Sequence, residues 1–212
     1  HSQVLPSFGY HPWFIHLRTA DWKNVLEGFL DQYPSAVGEI GIDRWKADIS
    51  YDNQEEIFLA QLGMAAERNL PVSIHCLKAW GRLLELLQGN PVPERGFLLH
   101  SYGGSAEMIS VFAKLGAYYS FPGYFLRGAK GRHREAFKEV PPDRLLIETD
   151  APDMQLPSEL NEHPLVDKEG KDVNHPANIR AVYRQLARFL EEPEGQLANR
   201  VEENFLRLFD GF

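Results

Sequence analysis

Short runs of apolar and β-branched residues alternate along this chain with longer stretches whose apolar positions recur at helical spacing. The runs are AVGEIGID (36–43), LPVSIH (70–75), GFLLH (96–100), AYYSF (117–121) and RLLIETD (144–150). Between them lie Ile57, Leu62, Met64 and Ala65, then Leu83, Leu84, Leu86 and Leu87, then Met108, Ile109, Phe112 and Leu115, each set on one helical face. Asn53 reads as a helix start, and Asn69 followed by Pro71 as that helix's end. Two more helices are predicted near the end of the chain, one carrying Ile179, Val182, Tyr183, Leu186 and Leu190, the other Leu197, Val201, Phe205 and Leu208. Strands alternating with helices at this spacing predict β/α units around a parallel sheet. The polar stretch 153–177, rich in Pro, Asp and Glu, interrupts the pattern; an irregular segment that long is either functional or disordered.

The strand ends carry the chemistry. Glu39, His75, His100 and Asp150 each lie at or near the end of an apolar run, and RLLIETDAPDM (144–154) passes from three apolar residues directly into Glu148 and Asp150. In β/α barrels and open α/β sheets the carboxyl ends of parallel strands converge on one face, where sites are built. Taken singly, each histidine could be a hydrogen-bonded structural residue and each acid a helix cap. Taken together, two imidazoles and two carboxylates from four strands suit a divalent cation, Mg²⁺, Mn²⁺ or Zn²⁺.

Composition narrows the setting. With 212 residues, 43% of them hydrophobic, the chain can bury one sizeable core, so one domain over 1–212 is expected. Neither a bilayer-length apolar run nor a signal-peptide pattern is present, and the single cysteine, Cys76, suits a reducing compartment. The expectation is a cytoplasmic protein without membrane association; the first residue, His1, points to a processed or internal beginning. The net charge of −8 argues against a surface built for nonspecific duplex binding. A local basic face remains available in RGAKGRHR (127–134), which follows the aromatic-rich FPGYF (121–125). Cations beside stacking rings suit single-stranded nucleic acid, and a solvated helix start accounts for the same residues equally well. Alternation along a strand sends Cys76 to the face opposite His75, which excludes a thiolate pair in one site. His16, His133 and His163 read as surface histidines, and Trp13, Trp22, Trp45 and Trp80 as packing, with Trp45 close enough in sequence to Glu39 to line a cleft. Oligomeric state is left open.

Six stretches carry a family resemblance: GYHP (9–12), AVGEIGID (36–43), LPVSIHCLKA (70–79), LLHSYGG (98–104), RLLIETDAP (144–152) and NHPANI (174–179). In these the chain resembles the TatD family of metal-dependent deoxyribonucleases, which are amidohydrolase-type β/α barrels. The resemblance implies that Glu39, His75, His100 and Asp150 bind up to two divalent ions, with Glu39 bridging them. It places His11 beside a substrate phosphate and has Asp150 also orient or deprotonate the attacking water, so that Glu39 and Asp150 are the catalytic carboxylates. Lys78 and Arg127 are the candidate phosphate partners. Family members open on a strand with a His-x-His pair that has no counterpart here. The expected fold is therefore α/β, a TIM-type β/α barrel incomplete at the N-terminus, short of its first two β/α units, on the order of 50 residues. Lys78 replaces the family's usual arginine, keeping charge and losing a bidentate grip, and His175 stands where a glutamate is common.

The expected activity is metal-dependent phosphodiester hydrolysis, as a deoxyribonuclease trimming single-stranded DNA or another nucleic acid from an end. Two rivals share the ligand set: hydrolysis of a cyclic amide, lactone or ester, in which the attack falls on carbon, and a truncated, non-catalytic binding module. Glu39 occupies the position where the carbon-ester hydrolases often carry a lysine, which favours the phosphodiesterase.

Overall fold

A computed structural model describes residues 4–46 and 50–210; His1 lies outside the described residues. Six strands form one sheet: β1 (Ser7–Phe8), β2 (Ala36–Asp43), β3 (Val72–Leu77), β4 (Phe97–Leu99), β5 (Ala117–Pro122) and β6 (Leu145–Glu148). Every pairing is parallel, and the spatial order is the sequence order. A doubly wound sheet reverses its strand order part-way; a wall that never reverses is the architecture of a β/α barrel. Among the described residues β1 and β6 stand at the two ends of that wall, and the α/β architecture is the TIM-type one expected from the sequence.

Helices α1 (Trp22–Gln32), α2 (Tyr51–Arg68), α3 (Trp80–Gly89) and α4 (Ala106–Lys114) connect the successive strands from β1 to β5, and the short α5 (Gly131–Ala136) lies between β5 and β6. After β6 come a small antiparallel hairpin, β7 (Leu165–Val166) with β8 (Asp172–Val173), and then α6 (Ile179–Phe189) and α7 (Glu194–Phe209). The strands read as continuous apolar runs because both faces are covered: every residue of β5 is buried, and so is every residue of β2 except Glu39. Cys76 is buried in the core, away from His75, as alternation requires.

Three local readings change. The helix predicted to start at Asn53 begins at Tyr51, after Ser50, which puts Asn53 inside its first turn; Asn69 does end it, in the left-handed conformation with φ 49°. Helix α1 escaped the periodicity because Val25 and Phe29, both exposed, blur the stripe of Trp22, Leu26 and Leu30 that it buries. The polar stretch 153–177 is ordered. Buried Asn174 donates to the Thr149 carbonyl at 2.7 Å and buried Asn178 to the Asn161 side chain at 2.9 Å, closing the loop on itself and on the end of β6.

Helix α2 also fixes backbone that no strand reaches. Its buried Gln54 accepts from the Asp43 N–H at 2.6 Å and donates to the Asp43 carbonyl at 3.1 Å. One heptad on, buried Gln61 does the same to Tyr10, at 2.6 and 3.2 Å. Each amide satisfies both polar groups of one peptide unit, as a neighbouring strand would. Gln61→Leu, which leaves both Tyr10 groups without a partner, is expected to cost about 2–3 kcal/mol; the urea midpoint against wild type measures it, and an unchanged midpoint would show that water replaces the amide.

Candidate metal centre

The carboxyl-terminal parts of β2, β3, β4 and β6 deliver their polar residues to one cup, although Glu39, expected to close its run, lies midway along β2, which continues to Asp43, and His75 lies two residues before the end of β3. His75 on β3 is its most constrained member. Its Nδ1 lies 3.0 Å from Glu39 Oε1 and its Nε2 lies 2.9 Å from Asp43 Oδ2, so both ring nitrogens face carboxylates from β2. The close approach of β2 to β3 depends on Gly41, paired with His75: at its φ of +150° a Cβ would fall 1.9 Å from the His75 carbonyl oxygen. His100, just past β4, repeats the arrangement, with Nδ1 2.8 Å from Glu148 Oε2 and Nε2 3.2 Å from Asp150 Oδ1 and 3.8 Å from Glu39 Oε1. His11 enters from the segment after β1, its Nε2 3.8 Å from the same Glu39 oxygen while its Nδ1 accepts the Trp13 backbone N–H at 3.1 Å.

Each strand histidine thus has one nitrogen turned toward the centre and the other held by a carboxylate behind it, Asp43 for His75 and Glu148 for His100. Such outer carboxylates fix ring orientation and tautomer and raise ligand basicity. Asp43 is built for this: fully buried, it also accepts from the Trp13 indole N–H at 2.6 Å and from the Trp45 and Lys46 backbone N–H groups at 2.6 and 3.2 Å. Glu148 accepts from the Ser101 hydroxyl as well. The sequence reading singled out Glu148 beside Asp150 without assigning it a role, and missed Asp43, although it lies four residues after Glu39, a spacing that shares a strand face.

The structure therefore brings Glu39, His75, His100 and Asp150 together, and His11 with them. Ligand atoms of His11, Glu39 and His75 all lie within 4.8 Å of one another, while His100 adjoins them through the Glu39 oxygen and Asp150 through His100. Mixed imidazole and carboxylate donors converging in this way fit a divalent cation. Lys78 stands exposed at the rim beyond β3. Arg127 has another engagement, donating to the Gln155 and Leu156 carbonyls at 3.1 and 3.2 Å, which ties the long loop to the end of β5. Lys130 packs over Tyr124 and Arg134 over Phe189, so much of the basic stretch is absorbed in packing. His175 caps the turn before α6 through Nδ1, accepting the Ala177 N–H at 3.0 Å. His16 and His163 are exposed as expected, whereas His133 is half-buried against Phe125. Lys78, Ser101 and Asp150, at the ends of three site strands, adopt positive φ of 54°, 44° and 56°. Left-handed non-glycine residues cost of order 1–3 kcal/mol each and gather where a site requires them.

Burial and charge set the protonation states. Burial disfavours the charged form of Glu39, but the His75 hydrogen bond and the positive potential of His100, His75 and His11 outweigh it and hold the acid at about 2. Asp43 is likewise held at about 2, against burial, by His75, the Trp13 indole and the Trp45 amide. Burial also opposes charging of His75 and His100, yet their carboxylate partners prevail and raise both, His100 well above the ordinary range. His11 goes the other way, lowered to about 4 by burial and by neighbouring His75. His100, and to a lesser degree His75, thus hold a proton more firmly than a free imidazole, and a cation must displace it. Mn²⁺ binding is expected to release protons at pH 7 and to weaken as pH falls. Calorimetry in two buffers of different ionisation enthalpy counts the protons, and zero release would contradict this charge state. Asp43→Asn, which keeps the shape and loses the carboxylate behind His75, is expected to weaken Mn²⁺ binding about 10–100-fold in the same titration.

A family model described as TatD related DNase matches residues 1–210. YabD of Bacillus subtilis, an uncharacterized metal-dependent hydrolase, is 31% identical over 207 residues, which cover 97% of this chain and 77% of that protein. The 3'-5' ssDNA/RNA exonuclease TatD of Escherichia coli K12 is 32% identical over 215 residues, covering 99% and 79%. Among solved structures, the TatD homolog YJJV of E. coli K12 superposes with a TM-score of 0.88 at 26% identity, over 100% of this chain and 79% of that one.

Proposed function

This chain belongs to the TatD-related DNase family, and from that premise we propose that it is a metal-dependent phosphodiesterase that removes nucleotides from an end of single-stranded DNA or RNA. The observation that carries the reading is the convergence of His11, His75 and His100 on one oxygen of Glu39, with Asp150 beside His100. Relatives that share this chain over most of their length are named single-strand exonucleases, and the enzyme class, a metal-dependent hydrolase, is that of the family.

Glu39, His75, His100 and Asp150 are the residues that would hold one or two divalent ions, Mg²⁺, Mn²⁺ or Zn²⁺. Such ions supply charge to the phosphoryl oxygens and lower the pKa of water. The protein's own groups provide order. Asp43 and Glu148 keep the outer nitrogens of His75 and His100 occupied, so the inner ones face the centre. The Asp150 carboxylate, at the lip of the cup, orients the attacking water and takes its proton. His11, neutral at physiological pH, already accepts at Nδ1; its Nε2–H is free to donate to a non-bridging phosphate oxygen. Exposed Lys78 meets the charge of a flanking phosphate. Arg127 acts through the loop it anchors, keeping residues 155–156 beside the strand ends. The buried thiol of Cys76, pushed far above the ordinary thiol range chiefly by burial, is inert and consistent with a cytoplasmic enzyme. No helix among the described residues is long and apolar enough to cross a membrane.

End-labelled single-stranded DNA with Mg²⁺, with Mn²⁺ and with chelator tests the reading. Nucleotide release is expected only with metal, and Asp150→Asn is expected to lower kcat about 10²–10⁴-fold with the far-UV circular dichroism spectrum unchanged. Release that persists in chelator, or in Asp150→Asn, would sink the assignment.

A further inference from the structure

The cup has an aromatic wall on its His11 side. The Trp13 ring lies 5.1 Å from His11 and 5.7 Å from His75, the Phe14 ring 5.7 Å from His11, and the Trp45 ring 6.2 Å from Trp13. The members of this wall differ in what is left to them. Trp13 is committed: its indole N–H is held by Asp43 and its ring face meets the Lys46 ammonium, 4.0 Å from the centroid. Trp45 is 56% exposed and Phe14 53%, a large apolar expenditure beside a polar site. An indole usually buries its area; one left open next to reacting groups has a face to offer.

Trp45 is also fixed relative to the chemistry. Its backbone N–H donates to Asp43 Oδ1 at 2.6 Å, and the other oxygen of that carboxylate holds His75. The same side chain thus positions the ring that faces Glu39 and the platform next to it. Cations bracket the platform, Lys46 over Trp13 and Arg44 5.4 Å from the Tyr51 ring, which is itself 40% exposed. Aromatic faces interleaved with basic side chains are the grammar of single-strand binding: every base has a π-face, so stacking is tolerant of sequence, but only an unpaired base can present it.

We propose that the exposed face of Trp45, backed by Trp13, is a stacking subsite for an unpaired base of the nucleotide adjoining the scissile phosphate. The inference rests on the nuclease reading and adds to it a physical basis for selecting single strands: a duplex end must fray before its base can reach the ring. It also moves the nucleic-acid contact from the 127–134 stretch to residues 44–46, next to the cup.

Two measurements test it. In chelator, tryptophan fluorescence is titrated with an oligothymidylate of about ten nucleotides; quenching is expected in wild type, with affinity reduced on the order of tenfold in Trp45→Ala and largely restored in Trp45→Phe. With metal, Trp45→Ala is expected to raise KM by a similar factor while kcat changes little. Substrates with one abasic residue at each of the last three positions locate the stacked base: one position should cost wild type the same factor and cost Trp45→Ala nothing further. Metal-dependent release with KM and oligonucleotide affinity equal in wild type and Trp45→Ala would overturn the subsite and leave the nuclease standing. Trp45-dependent oligonucleotide binding without release in any metal would keep the subsite and overturn the nuclease. A wild type that neither binds nor cleaves would overturn both.

Discussion

One carboxylate oxygen organises this protein. Glu39 Oε1 is approached by three imidazoles, at 3.0 Å from His75 and 3.8 Å from His11 and His100. Three rings and several carboxylates packed at that distance would repel one another in like-charged pairs unless each acid met a base. The fold arranges that meeting. Parallel strands in sequence order bring acid and imidazole together, Glu39 and Asp43 on β2 against His75 on the adjacent β3, then Glu148 and Asp150 from the end of β6, across β5, against His100 after β4. Much of the remaining architecture is what holds four strand ends at that separation.

The cost of such a centre is spread through its surroundings. Glycine at position 41 lets β2 touch the backbone of His75, three strand-end residues sit in left-handed conformations, and a fully buried aspartate is kept charged by three hydrogen bonds and an imidazole. The surplus stability that tolerates these features comes from the buried strands and from tyrosines such as Tyr119, whose hydroxyl reaches the Ile109 carbonyl at 2.6 Å inside the core. Rigidity is what the site gains: the imidazoles facing its centre have their outer nitrogens already bound.

Strand ends are easy to read in a sequence because a polar residue closing an apolar run is conspicuous, and Glu39, His75, His100 and Asp150 were visible on that ground. The parallel sheet was visible for a related reason, since strands covered on both faces read as unbroken apolar runs. Asp43 hid in plain view: it closes the run in which Glu39 stands, but its role depends on a ring from another strand, which one-dimensional spacing does not reveal. Trp13 looked like packing because its indole hydrogen bond is a tertiary contact thirty residues away in sequence. The basic stretch 127–134 drew attention by composition alone, and composition does not say that Arg127 is engaged by two carbonyls. Helix α1 was lost because its exposed apolar residues widen the stripe from which a helix is recognised.

The paired amides of α2 have a consequence for how this chain can vary. Gln54 and Gln61 are seven residues apart, about 10.5 Å along the axis and on nearly the same side of the helix, and they grip Asp43 and Tyr10, the backbone on either side of His75 and His11. The interval between them is a ruler with two fixed marks. Adding or deleting a single residue within it would swing one amide about 100° away from its peptide while leaving the other in place. Length variation in this protein should therefore accumulate in its surface loops and be absent between those two glutamines, where even a sequence with ideal helical character would no longer measure the right distance.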